Sequence, residues 1–117
     1  MSDNKLKTLS ADFAVDIIGL VKRLKSNRES VISNQIGRSG TSIGANIHEA
    51  QYAQSKADFI SKLQIALKEA NETGCWLELL SRTGYLEESE YKDLDAKCAT
   101  IRVLLIASVN TAKKKQK

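Results

Sequence analysis

Proline is missing from this chain of 117 residues, and glycine occurs only six times. Because these two residue types supply most tight turns, their scarcity predicts a few long elements joined by short connections. The length suits one domain, spanning 1–117. Apolar residues make up 42% of the chain, which is enough for a single hydrophobic core.

Cysteine is also scarce, and no residue pattern suits a metal. Cys75 and Cys98 belong to no CxxC or Cys/His spacing, which argues against a zinc site and against a disulfide framework. The first residues contain no long apolar core of a signal peptide, and no run approaches the ~18 apolar residues of a membrane span. We therefore expect a cytoplasmic protein with reduced thiols, no cofactor and no membrane partner.

An excess of charge is absent from most of the chain. The formal net charge is +4, from 18 basic and 14 acidic residues. Four of the basic residues, Lys113, Lys114, Lys115 and Lys117, lie in the last five positions, so the remainder is neutral. A nucleic-acid-binding fold usually carries a basic face on its body. Any phosphate contact is therefore predicted at these four lysines, which could instead form a solubilising helix end that complements the helix dipole.

Apolar residues recur at intervals of three and four in four segments, the period of an α-helix. The pattern predicts helices over about residues 10–25, 29–53, 55–82 and 87–113, followed by a basic tail at 113–117. Ser10 and Ser55 are the expected N-caps of the first and third helices, and Gly84 the expected C-cap glycine of the third. Short links and one apolar side per helix predict an all-α, antiparallel up-down-up-down four-helix bundle.

The stretch QIGRSGTSIGANIHE, residues 35–49, looks at first like a phosphate-binding loop, but it lacks GxxxxGK[ST] and no strand precedes it. On a helix its isoleucines form a core stripe, and its glycines share one flank of that stripe. A helical glycine costs about 1 kcal/mol relative to alanine. We therefore expect another helix to pack closely on the glycine flank, Gly37, Gly40 and Gly44; a kinked or frayed helix is the alternative.

The opposite flank of the second helix is polar but carries few charges, which indicates that other helices cover most of its surface. A covered Arg38 needs a carboxylate partner, for which Glu49 and Glu72 are the candidates. We predict a structural network that holds the helices in register, formed by Gln35, Arg38, Asn46, Glu49 and Glu72. A solvated polar face is the equally weighted alternative.

The fourth helix has more apolar residues than one stripe can use. In IRVLLIASV, residues 101–109, only Arg102 and Ser108 are polar. The excess predicts a second buried surface and hence self-association, whereas a helix at the centre of the monomer is the alternative. The predicted interface comprises Val103, Leu104, Ile106 and Val109, and Ser108 is assigned to the inner stripe.

Catalytic patterns are missing from the sequence. His48 has no nucleophile and carboxylate at a recognisable spacing, and the glutamates form no ExxH pattern. Cys75 beside Trp76 is expected to pack rather than react. We predict no catalytic, cofactor-binding or metal-binding residue and no small-molecule substrate. An enzyme would instead need a polar pocket around Arg38 and Glu72.

The stretch QIGRSGTSIGANIHEA resembles the signature of a family of small bacterial four-helix bundles, the 23S rRNA intervening-sequence proteins. The family pattern is roughly Q-x-x-R-[SA]-x-x-S-I-x-x-N-I-x-E-[GA], and it is met here from Gln35 to Ala50. The family's third helix is similar to a downstream segment of this chain, FISKLQIALKEANETGCWLELLSRTGYL. Within it, Glu72 matches the family's characteristic glutamate. The resemblance covers about residues 8–110.

This resemblance implies a bundle that assembles into a ring, typically a pentamer. It also relates the chain to the accessory proteins of diversity-generating retroelements, which partner a reverse transcriptase and contact nucleic acid through a basic surface. The neutral body of this chain departs from that basic branch, and its first link, SNRES, is short and lacks proline. We expect a non-enzymatic homopentamer that engages RNA or a nucleic-acid-processing protein through its lysine ends. A purely structural or protein-binding module is the alternative.

Overall fold

A computed structural model describes residues 2–115 of the chain, which form four α-helices. They are α1 (Ser2–Ser26), α2 (Val31–Ala50), α3 (Lys56–Arg82) and α4 (Glu88–Lys115). Each helix packs against its neighbours in the chain, and α1 also packs against α4, which closes an elongated body of 49 × 22 × 19 Å. The predicted all-α up-down-up-down bundle is confirmed. None of the helices described is both long and apolar enough to cross a membrane.

The core consists of one buried stripe from each helix, with the spacing of three and four that the sequence predicts. Burying each large aliphatic or aromatic side chain stabilises the fold by roughly 1.5–3 kcal/mol, so these stripes are the main source of stability. Fully buried members include Phe13, Ile17, Ile36, Ile43, Ile47, Leu77, Leu80, Ile101 and Leu105.

The first helix begins at Ser2, about two turns before the predicted start. Leu6 is buried and continues the apolar stripe backwards, so the helix gains core contacts by extending. Ser10 is therefore not an N-cap. It lies buried in the middle of α1, where its hydroxyl donates to the Lys7 carbonyl at 3.1 Å.

The turn between α1 and α2 uses an arginine in the left-handed conformation. Arg28 has φ 66°, at the position where a helix C-cap glycine would be usual. The amide of Glu29 donates to the Leu24 carbonyl at 2.9 Å, and the amide of Arg28 to the Lys25 carbonyl at 3.0 Å, the pattern of a Schellman motif. Glu29 consequently lies outside α2, which is shorter at both ends than predicted.

The same turn places the side chain of Glu29 at the start of α2. Its carboxylate accepts hydrogen bonds from the backbone amides of Ile32 at 3.0 Å and Ser33 at 2.7 Å. Ser30 occupies the N-cap position, but its side chain makes no capping hydrogen bond. A buried glutamate therefore satisfies two amides that helical geometry leaves without partners.

The third helix begins and ends close to the predicted residues. The Ser55 hydroxyl accepts a hydrogen bond from the Asp58 amide at 3.0 Å, as a capping box requires. At the other end Gly84 has φ 85°, and the Tyr85 amide donates to the Leu80 carbonyl at 2.9 Å. Both caps follow from residue type, because serine and glycine are common at these positions.

Val109 lies in the core, which corrects its assignment to an outward-facing interface. Only 6% of its surface is exposed, whereas Ser108 is half-buried rather than part of the inner stripe. After Leu105 the buried stripe continues to Val109 and Ala112, a step of four followed by a step of three. That step keeps the stripe on the core side, as a helix of 3.6 residues per turn requires.

Candidate functional site

A polar cluster joins α2 to α3 on the surface of the bundle. Arg38 on α2 pairs with two carboxylates of α3, Glu69 at 3.2 Å and Glu72 at a shorter distance. The indole N–H of Trp76 donates to the same Glu72 oxygen at 3.1 Å. We call these four residues the Arg38 cluster. Half of the Arg38 side chain is exposed, against 15% of Glu69 and 29% of Glu72, so the cluster is neither buried nor fully solvated.

Hydrogen bonds fix the charge state of the Arg38 cluster. The bond from Arg38, followed by that from Trp76, holds the pKa of the Glu72 carboxyl below its ordinary value. The bond to Glu72 likewise raises the pKa of Arg38. Glu72 is therefore an ionised acceptor and not a proton donor near neutral pH, which suits a clamp between helices better than acid–base catalysis.

Other members of the predicted network lie outside the Arg38 cluster. Glu49 does not pair with Arg38; its carboxylate lies 3.6 Å from Lys62, further along the same two helices. The Asn46 side chain donates to the Ser42 carbonyl within α2 at 2.9 Å, and Gln35 is exposed. The structure thus brings together two of the five predicted network residues, on opposite helices.

Glu69 and Trp76 are the residues of the cluster that the sequence reasoning missed. Glu69 lies three positions before Glu72, and residues three apart share one side of a helix. Glu69 and Glu72 are therefore both carboxylates on the side of α3 that faces α2. Beneath them the buried hydroxyls of Ser39 and Thr73 hydrogen-bond to each other at 2.8 Å, so the α2–α3 contact stays polar into the core.

The lowered pKa of Glu72 predicts a pH-dependent contribution to stability. A carboxyl with a depressed folded-state pKa stabilises the fold above its unfolded pKa, near 4.5, and loses that contribution as pH falls through the folded value. We expect Glu72→Gln to lower the free energy of unfolding by up to about 1 kcal/mol at pH 7. The difference from wild type should shrink toward zero below pH 4.5.

Urea unfolding followed by the fluorescence of Trp76, the sole tryptophan, measures this at each pH. The matched control is Glu78→Gln, because Glu78 is an exposed α3 glutamate whose partner, Arg82, lies on its own helix at 3.5 Å. The stabilising role of the Arg38–Glu72 ion pair would be contradicted if both variants lost the same free energy of unfolding, or if the loss for Glu72→Gln persisted at pH 3.

The glycine flank of α2 lies against α1. A Cβ on Gly40 would lie 2.9 Å from Ile17 Cγ2, and one on Gly37 would lie 3.2 Å from Val21 Cγ2. At Gly44 the nearest atom is the Ser10 carbonyl oxygen, at 3.5 Å. The three glycines therefore share a helix contact but differ in how tightly it closes on them, and Gly40 is the tightest.

The outer face of α4 keeps apolar side chains in contact with solvent. Val103 is 65% exposed and Ile106 is 46% exposed, whereas Leu104 is half-buried against the core. Of the four predicted interface residues, two are therefore available to a partner, one is partly available, and Val109 is not.

The basic end of α4 lies beside a groove. Lys113, Lys114 and Lys115 are exposed in the last turn of the helix, and Lys117 lies outside the described residues. Lys115 and Lys56 flank an open groove of about 500 Å³ that includes Phe59. Cationic side chains therefore border an apolar surface at this end of the bundle.

The histidine and the two cysteines lie at separate places in the bundle. His48 is exposed and its ring lies 5.4 Å from that of Tyr52. Burial raises the pKa of the Cys98 thiol to about 11, and its sulfur lies 3.3 Å from the Ala70 carbonyl oxygen. Cys75 is exposed. Within residues 2–115, no group of three or more His, Cys, Asp and Glu side chains could hold a metal ion.

The profile of the 23S rRNA-intervening sequence protein family matches residues 2–107. Among solved structures, the chain is similar to a protein of unknown function from the S23 ribosomal protein family of Bacteroides thetaiotaomicron. The two are 54% identical with a TM-score of 0.92, over 94% of this chain and 99% of that chain. A comparison with curated proteins gave no match. Because the profile spans the whole region that carries the Arg38 cluster and the glycine flank, the chain belongs to the 23S rRNA-intervening sequence protein family.

Proposed function

We propose that the protein is a non-enzymatic cytoplasmic assembly module that forms a homo-oligomer, a pentamer, and engages RNA or an RNA-associated partner through the lysine ends of α4. The observation that carries the proposal is the combination of features on one helix. α4 exposes Val103 and Ile106 along its outer face and ends in Lys113, Lys114 and Lys115. Self-association through the apolar part would bring several lysine ends into one particle.

Several copies of a weak cationic site in one particle bind RNA with higher affinity than a single copy does. The three described lysines of one chain make few phosphate contacts, and each contact is weakened by salt. Several copies held in one particle bind the same RNA at high effective concentration, which raises the overall affinity well above that of a single end. The neutral body then favours a salt-sensitive, sequence-independent contact over base-specific recognition.

The Arg38 cluster has a structural part in this proposal. Its guanidinium already has two carboxylate partners and its ionised glutamate accepts two hydrogen bonds, so its polar groups are engaged within the chain. It fixes α2 against α3, and it leaves the binding of partners to α4.

Removing two of the lysines is expected to weaken RNA binding without changing the assembly. Lys113→Gln/Lys114→Gln should weaken binding of a short structured RNA at low salt. It should also reduce the slope of log affinity against log salt by about 0.7–0.9 for each phosphate that the variant no longer neutralises. Light scattering of the protein with and without RNA, at low and high salt, gives mass and binding together.

The matched control is Lys68→Gln/Arg82→Gln, which removes two exposed cations from α3. A control that weakens RNA binding as much as the lysine variant would point to a non-specific charge effect. A wild-type particle that binds no RNA at low salt would reject the nucleic-acid role, and a mass of one chain would reject the assembly.

A further inference from the structure

Two helices expose short apolar patches on the outside of the bundle. The α1 patch comprises Ala11, Val15 and Ile18, and the α4 patch comprises Ala99, Val103 and Ile106. Val15 is 69% exposed and Ile18 is 47% exposed, close to the values for Val103 and Ile106. At about 100° per residue, the members of each patch lie within about 60° of one another. The patches therefore match in width and in the exposure of their two large side chains, while Ala11 is exposed and Ala99 is half-buried.

The patches lie on different outer faces of the bundle. The α1 patch points away from the core: Val15 borders the groove between α1 and α4, and Ile18 is turned toward α2, where Val21 packs against Gly37. The α4 patch is on the side of α4 that adjoins α3, where Arg102 packs against Gly74. One copy thus presents two separate apolar surfaces, and neither covers the other within the chain.

Beyond one end of each patch lie charged side chains, which are basic on α1 and acidic on α4. Toward the end of α1 the patch continues into Lys22 and Lys25, and toward the start of α4 it continues into Asp95 and Glu88. Lys22, Lys25 and Asp95 form no ion pair within the part of the chain that the structure describes, whereas Glu88 pairs with Lys92 on its own helix at 3.3 Å. Arg23 and Lys97 instead join α1 to α4 on the surface of the bundle. Lys22, Lys25 and Asp95 are therefore available to a second molecule.

An antiparallel register matches both features at once. With Val15 opposite Val103, Ala11 falls within one residue of Ile106 and Ile18 within one residue of Ala99, since both helices advance 1.5 Å per residue. Lys22 then lies within one residue of Asp95, and Lys25 lies about 1.4 turns from Glu88. At the other end Lys7 lies toward the lysine end of α4, so the favourable charges are confined to the end that carries Lys22 and Asp95.

We infer that the α1 patch of one copy packs antiparallel against the α4 patch of a second copy. This rests on the self-association proposed above and names the two surfaces that form it. Because the surfaces differ, the contact is head-to-tail, and each copy keeps one free patch of each kind until the assembly closes. In a ring all copies point the same way along the axis, so α1 and α4 of neighbouring copies meet antiparallel.

Complementary charge substitutions distinguish this contact from a symmetric one. Val15→Asp spoils the α1 patch and Val103→Asp spoils the α4 patch, so each variant alone should fall from the wild-type mass to a single chain of 12.9 kDa. Mixed in equal amounts, they retain one intact pair of patches and should form a particle of two chains and no larger. Light scattering measures the masses, and circular dichroism verifies that both variants remain helical.

Val31→Asp is the matched control, because Val31 is 75% exposed on α2 and belongs to neither patch. It should keep the wild-type mass. Retention of that mass by Val15→Asp but not by Val103→Asp would replace the inferred contact with a symmetric α4–α4 one. Retention by both, or no two-chain particle in the mixture, overturns the pairing while self-association stands. A single-chain wild-type mass overturns self-association itself.

Discussion

Glu29→Ala should destabilise the bundle by about 2–3 kcal/mol, although no sequence motif identifies Glu29 as a cap. The substitution removes the acceptor for the amides of Ile32 and Ser33 at the start of α2. A hydrogen bond to a charged group contributes about 1.5–3 kcal/mol, and a buried amide left without a partner costs about 1–3 kcal/mol. Removing the desolvation cost of the buried carboxylate offsets part of this loss. For a domain of this size the midpoint should fall by roughly 10 °C.

Two variants at the same turn separate capping from other effects of Glu29. Ser30→Ala should leave the midpoint nearly unchanged, because the Ser30 side chain makes no capping hydrogen bond. Glu29→Gln keeps one carbonyl acceptor and should lose less than Glu29→Ala. Thermal unfolding by circular dichroism measures all three. If Ser30→Ala proved as harmful as Glu29→Ala, the usual N-cap serine would be the real cap and the glutamate would be secondary.

This turn illustrates why the ends of α1 and α2 are harder to predict than their middles. The stripes depend on residue spacing, which is visible in the sequence, and the third helix has serine and glycine caps that follow common preferences. The first link uses Arg28 in a left-handed conformation and Glu29 as the cap. Local propensity favours neither the left-handed Arg28 nor a glutamate cap. Both depend on how α1 and α2 pack, which is a property of the whole fold.

In the Arg38 cluster, too, one part can be predicted from the sequence and another part depends on the fold. The sequence predicts that Arg38 needs a carboxylate and indicates Glu72, because burial of a charge demands a partner. It also indicates Glu49, which pairs with Lys62 instead. Glu49 lies eleven positions after Arg38, so on a helix it is about three turns away along the axis. The angle around the helix favours a pairing of Arg38 with Glu49, whereas the distance along the helix prevents it.

α2 carries both the glycine contact with α1 and the polar contact with α3. One flank lies against α1 through glycines, and the other lies against α3 through the Arg38 cluster and the Ser39–Thr73 hydrogen bond. With both flanks occupied, α2 has few large exposed apolar groups, and the exposed patches fall on α1 and α4. α2 therefore has few charged residues because neighbouring helices cover it, whereas α4 has an excess of apolar residues because part of its surface is exposed.

Gly40→Ala should destabilise the fold although alanine is the better helix former. A Cβ at Gly40 would lie 2.9 Å from Cγ2 and 3.3 Å from Cβ of Ile17, which is fully buried. A β-branched side chain has little freedom at χ1, so α1 must move away from α2. Overpacking of this kind costs about 1–3 kcal/mol, and the helix-propensity gain of about 1 kcal/mol offsets only part of it. Gly40→Leu should cost more than about 3 kcal/mol, since several more atoms enter the same space.

The other glycines supply controls in which the same substitution should have the opposite sign. Gly19 has no atom within 4 Å of an added Cβ, and Gly44 has only ordinary contacts at 3.5 Å and beyond. Gly19→Ala and Gly44→Ala should therefore stabilise the fold by up to about 1 kcal/mol each. An Ile17→Ala background removes the contacts with Cγ1 and Cγ2 and leaves only the 3.3 Å contact with the Cβ of residue 17. Gly40→Ala should therefore cost much less in that background, and a double-mutant cycle in urea measures the coupling. A stabilising Gly40→Ala in the wild-type background would mean that α1 and α2 separate easily, and that the glycine at this position is tolerated rather than required by the helix contact.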